Sequence, residues 1–201
     1  MRKFVTPACQ NAWDSRLAFP IPWAKIWRIK SFFATPRDQM VWLKLQHRNL
    51  YVAGHDPADN TCRACTERES QLHLCECTVI HMEFWSHIIK MAVATGMPAP
   101  QDTSAFLATG ALSWYTVISN FHSGIFFIGW RCLYAASVKS RIDNKPLDLE
   151  AALKRTVAMI IGRLKAYGGK WKRWIAKTRH QRKPGVRPPA EIFDPTRRND
   201  E

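Results

Sequence analysis

Acidic residues are scarce in this chain. Sixteen Asp and Glu stand against thirty Lys and Arg, a formal net charge of +14 at pH 7, and the pI is near 9.9. That imbalance bears on partners rather than on fold, and it selects polyanions: nucleic acid, or an anionic membrane face. Long apolar runs are missing too. The most apolar stretch, Ile125-Phe126-Phe127-Ile128-Gly129-Trp130, stops at Arg131, far short of the ~18 residues a spanning helix needs. The first residues lack the apolar core of a secretory signal. They carry Arg2, Lys3, Arg16, Lys25, Arg28 and Lys30, with Asp14 as the one acid before Asp38, a composition compatible with organelle targeting. An intracellular protein of nucleus or organelle is therefore expected, with no membrane partner.

Familiar catalytic signatures are absent as well. There is no Walker loop, no Gly-x-Ser-x-Gly and no His-Glu-x-x-His, which removes the common nucleotide-hydrolysing, acyl-transfer and zinc-protease sites. The seven histidines are scattered. No catalytic residue is expected, and no internal repeat or low-complexity segment is visible.

What is present suffices for a packed domain, since 46% of the 201 residues are hydrophobic. Residues 1–34, rich in aromatics and proline, read as an irregular strap on a core. Thr35-Pro36-Arg37-Asp38 offers an N-cap, a proline in the first turn and a carboxylate three residues after the cap, so a helix is expected to start there and run toward Leu50. Ile80, Phe84, Ile88 and Met91 predict a helix stopped at Gly96. A second apolar stripe runs from Trp114 through Phe121, Ile125 and Ile128 to Ala135, after a loop around residues 98–104. A third runs from Leu149 to Tyr167, started by Pro146 and Asp148 and closed by Gly168-Gly169. The expected organisation is thus a strap (1–34), a zinc-knuckle region with flanking helices (35–98), a helical core (105–168) and a basic segment and tail (169–201). Trp114, Phe121, Ile125, Ile128, Leu153, Ile160 and Leu164 should form a buried helical layer separate from the metal residues. The fold class is mainly α: a small CCHC zinc knuckle among amphipathic helices, with a basic extended tail.

Four of the six cysteines, Cys62, Cys65, Cys75 and Cys77, fall within sixteen residues. In a reducing compartment such clustering points to metal ligands rather than disulfides. Structural zinc takes four tetrahedral sulfur and nitrogen ligands, and closely spaced pairs lower the entropy of gathering them. Cys62-x2-Cys65 is one such pair. His73 follows after seven residues and Cys77 after three more. Cys62, Cys65, His73 and Cys77 are the candidate zinc ligands, with His81 and then Cys75 as alternatives for the fourth place.

These residues, together with Glu69-Ser70-Gln71-Leu72-His73-Leu74 and the later Trp85, resemble the zinc-binding domain C-terminal to the reverse transcriptase of non-long-terminal-repeat retrotransposons. Trp27 and the helix from Pro36 resemble the family's upstream elements, and Gly129-Trp130-Arg131-Cys132-Leu133 with Arg141 is similar to its Trp-rich helix. The family has four residues between its His and last Cys, where this chain has three. The polymerase's own Tyr-x-Asp-Asp turn is absent, so the resemblance implies a nucleic-acid-binding module without catalysis.

From Arg163 to Arg187 the chain carries ten Lys and Arg and no acid. Within it Lys170, Trp171, Lys172, Arg173, Trp174, Lys177, Arg179, Arg182, Lys183 and Arg187 are the candidate nucleic-acid-binding residues, cations for phosphates and tryptophans for unpaired bases of RNA or single-stranded DNA. Two alternatives accompany this reading. One is a domesticated structural subunit of a ribonucleoprotein such as an organelle ribosome, in contact with other protein subunits. The other is a zinc-containing protein-interaction module.

Overall fold

The computed structural model describes residues 8–17, 19–31, 33–50, 60–113 and 115–168. Trp114 and the nucleic-acid-binding candidates from Lys170 to Arg187 lie outside them. The described part is mainly helical, with two isolated bridges and no strand. None of its helices is long and apolar enough to cross a membrane.

The strap contains two short helices, α1 (Ala8–Asp14) and α2 (Trp23–Ile26). Helix α3 (Pro36–Gln46) begins where the capping signals place it. Thr35 Oγ1 accepts from the Asp38 amide while the Asp38 carboxylate accepts from the Thr35 amide. Past Cys62 and Cys65 come the single turns α4 (His73–Glu76) and α5 (Thr78–Ile80), a π-helical turn (His81–Trp85) and α6 (Ser86–Ala94). The i→i+5 pairing of the π turn slips the helical register. Ile80, Phe84, Trp85 and Ile88 are all buried around it.

Helix α7 (Thr103–Thr109) begins within the loop expected around residues 98–104 and runs on ahead of the second apolar stripe. Asp102 caps its start through the Ala105 amide, and Gly110 at φ 80° ends it in the left-handed conformation. The second apolar stripe does not begin its helix at Trp114. Ala111 bridges Val117, Ser119 caps, and α8 (Asn120–Ile142) starts after it, because the Ser119 side chain accepts the His122 amide that the helix leaves open. Helix α9 (Leu149–Ala166) starts at an Asp148 cap.

Helix α8 is the centre of the fold, packed against α3, α6 and α9. Close approach is possible because of two glycines. A Cβ on Gly129 would stand 3.1 Å from the Trp85 ring, and one on Gly124 would stand 2.4 Å from Ser31 Oγ and 2.7 Å from the Phe33 ring. Asp38, wholly buried, ties three helices together: its Oδ1 accepts from Arg131 Nη1 at 2.6 Å, and Arg163 Nη2 lies 3.4 Å from its Oδ2. Of the layer expected to stand apart, Phe121, Ile125, Ile128 and Ile160 are buried, while Leu153 and Leu164 are half-buried at its edge. That layer is not separate. It is continuous with Cys62, Cys77, Ile80 and Trp85, because Trp85 fills the space against Phe126 and Trp130 of α8.

Candidate metal centre

Residues 60–69 double back on themselves. Thr61 bridges Arg68, the Cys62 amide donates to the Glu67 carbonyl, and the Glu69 amide donates to the Asn60 carbonyl. Between them Cys62-Arg63-Ala64-Cys65 makes a tight turn, closed by Thr66 N–H to the Cys62 carbonyl, with Thr66 itself at φ 67°. A non-glycine residue in the left-handed region is uncommon. Here it reverses the chain directly after the second cysteine. The Ala64 amide points back at Cys62 Sγ, 3.5 Å away, as expected of a turn that cradles a sulfur.

The second pair is placed by a helical turn. The Cys77 amide donates to the His73 carbonyl, so the two residues stand at i and i+4 and share one face of the chain. Three intervening residues are what this geometry takes. A cysteine at position 78 would be carried further round the turn. Cys75, two residues after His73, faces the opposite way. It is buried, and its thiol lies 3.6 Å from the Gln71 carbonyl.

The four side chains converge. The Sγ atoms of Cys62, Cys65 and Cys77 and a ring nitrogen of His73 all lie within 4.8 Å of one another, and could bind a metal ion. Cys65 Sγ is 3.2 Å from His73 Nε2. Cys75 and His81 are not among these four. The opposite ring nitrogen, Nδ1, faces the Glu67 carboxylate at 3.7 Å, the position from which an outer carboxylate orients a ligating imidazole. Sequence reasoning did not single out Glu67, since one acid beside a cysteine pair carries no spacing signal.

Burial pushes the Cys62 thiol up to about 11, with the Ala64 and Cys65 amides pulling back and the nearby Cys77 adding to the rise. Burial also raises Cys77, against the pull of the Ile80 amide. Cys75 is raised by burial as well, in keeping with an inert thiol in the core. Three thiolates packed this closely need a cation to hold them ionised.

The turn that carries Cys62 and Cys65 is anchored to the helical core by charge and backbone. Buried Glu69 pairs with Arg141 of α8, which also donates to the Thr61 carbonyl at 3.2 Å, and the Leu147 amide donates to the Arg63 carbonyl at 3.1 Å. Comparison with protein-family models, with curated proteins and with solved structures finds no match in any of the three.

Proposed function

We propose that the chain is a zinc-dependent nucleic-acid-binding module, non-catalytic by itself and related to the zinc-binding domain of retroelement reverse transcriptases. The observation that carries the metal reading is the convergence of Cys62, Cys65, His73 and Cys77. Zinc bonds of about 2.3 Å to sulfur and about 2.0–2.1 Å to nitrogen set tetrahedral donors roughly 3.5–3.8 Å apart. The observed separations, bounded by 4.8 Å and including one of 3.2 Å, suit that set. Three soft sulfurs and one imidazole favour zinc over hard cations. When bound, zinc would cross-link the turn to the helical pair and neutralise the thiolates. The chain's own part is to aim amides at Cys62 and Cys77, orient His73 through Glu67 and supply four protein donors. Four such donors leave no open position, the mark of a structural site.

The nucleic-acid half of the reading rests on the charge of +14 and on the acid-free run from Arg163 to Arg187. Like charges at that density repel one another, and a polyanion offsets the repulsion. Phosphate contacts would come from Lys170, Lys172, Arg173 and their successors, and stacking from Trp171 and Trp174, at ~1–3 kcal/mol per base. Six engaged cations imply a log–log salt slope near −4 on a single strand, about −0.7 each. The test has two arms. Elemental analysis of the native protein should return one zinc per chain, and none would refute the metal reading. Deleting residues 170–201 should remove most of the salt-dependent affinity for RNA. Equal binding by the truncated chain at moderate salt would refute the tail assignment.

A further inference from the structure

The tail is not the one basic stretch of the chain. Residues 25–48 carry six exposed cations: Lys25, Arg28, Lys30, Arg37, Lys44 and Arg48. The one acid in that stretch is Asp38, which is buried and already engaged by Thr35, Arg131 and Arg163. Among the described residues no carboxylate stands within salt-bridge distance of Arg28, Lys30, Arg37, Lys44 or Arg48.

Helical spacing and one ring stack bring the segments carrying these charges together. Arg37, Met40 and Lys44 recur at helical spacing on the solvent side of α3, and Arg48 follows just past its end. Arg28 follows Trp27, whose ring stacks on His47 at 5.2 Å and so joins the end of α2 to the end of α3. Lys25 Nζ donates to the Tyr115 carbonyl, and the Lys30 amide to Asn120 Oδ1, which pins the segment against the start of α8. Rings accompany the charges. Buried Trp23 stacks on half-buried Trp27 at 5.4 Å, and Trp27 on exposed His47, a ladder leading from core to solvent.

We infer that the exposed side of residues 25–48 is a second nucleic-acid surface, taking the phosphates of a single strand on its cations and bases against the Trp27–His47 rings. It shares a ligand class with the tail reading but stands on different residues. An anionic membrane fits less well. Surface-lying helices insert a row of large apolar side chains, and Met40, 49% exposed, is the one exposed large hydrophobic among the described residues of this stretch. Cations interleaved with aromatic rings are the pattern of single-strand binding.

The experiment uses the full chain and a fluorescent 15-nucleotide uridine RNA over a salt series. Arg28→Gln, Lys44→Gln and Arg48→Gln are combined in one variant. All three side chains are exposed, and circular dichroism checks that the fold is kept. The log–log slope should become shallower by about 2, three single-strand phosphate contacts at about 0.7 each. Trp27→Phe should weaken binding while leaving the slope as it was. An unchanged slope in the triple variant overturns the inference. So does a variant that loses only its binding to phosphatidylserine vesicles. Deleting residues 170–201 in the same series reads the tail separately, so either surface can fail alone. A full chain that binds no RNA overturns both.

Discussion

His73 and Cys77 show how one residue of spacing decides which side chains converge. At i and i+4 they share a face, while Cys75 at i+2 is turned into the core. Cys77→Ser should therefore abolish stoichiometric metal, whereas Cys75→Ser and His81→Ala should each keep one metal ion per chain by elemental analysis. Retention by the Cys77 variant together with loss by the His81 variant would reassign the fourth ligand. Asp38 is the other residue on which much depends. Burial pushes its carboxyl up, but hydrogen bonds from Thr35 and Arg131, with the Arg131 charge, outweigh that and hold it below its ordinary value. A lowered folded pKa favours the native state above the unfolded value of about 3.9, and that contribution is lost as the pH falls through the folded value. Asp38→Asn should cost about 3 kcal/mol at neutral pH, since it leaves two guanidinium groups facing a neutral amide. It should also flatten the acid limb of stability measured by denaturant titration. The Thr35–Asp38 cap was legible in the sequence because it is local. The ion pairs with Arg131 and Arg163 were not, since nothing within a few residues of Asp38 announces partners on two distant helices.

At the scale of elements, the strap meets α8 at a point that admits no side chain. Any Cβ on Gly124 would strike Ser31 Oγ and the Phe33 ring, and Phe33 is itself buried against Phe121 at 5.5 Å between centroids. Gly124→Ala gains helix propensity but must displace an aromatic ring, so a net loss of ~1–3 kcal/mol is expected from thermal or denaturant unfolding. A stabilised variant would show that the strap does not pack as described. Helix α3 and helix α9 were both readable, each carrying a cap signal in front of an apolar stripe. The start of α8 misled because Trp114, Ile118 and Phe121 happen to keep helical spacing across a turn that Ser119 and the Ala111–Val117 bridge interrupt. Helix α7 did announce itself in Asp102 and Gly110, but its seven residues carry too short a pattern to outweigh the polar loop before it.

Across the described residues, the turn that carries Cys62 and Cys65 and the helices share one buried cluster, joined further by Glu69–Arg141 and by Arg63–Leu147. A ligand that binds only the native state stabilises it by mass action. Removal of metal by a chelator should therefore lower the melting temperature of the entire chain in a single transition, followed by far-ultraviolet circular dichroism and tryptophan fluorescence together. Two separated transitions, with the α8–α9 signal unmoved, would show that the parts are independent after all. The sequence by itself determined what is local or additive: net charge, the helical character, the capping of α3 and α9, and the four donors that could share a metal. Each depends on residue type, on spacing within a turn or two, or on a simple sum. Tertiary structure alone decided the rest: that Trp85 joins the cysteine-rich turn region to α8, that Asp38 bridges three helices, and that Trp27 stacks on His47. Such facts follow from which faces bury together, and apolar periodicity marks a face as inward without saying what it will meet.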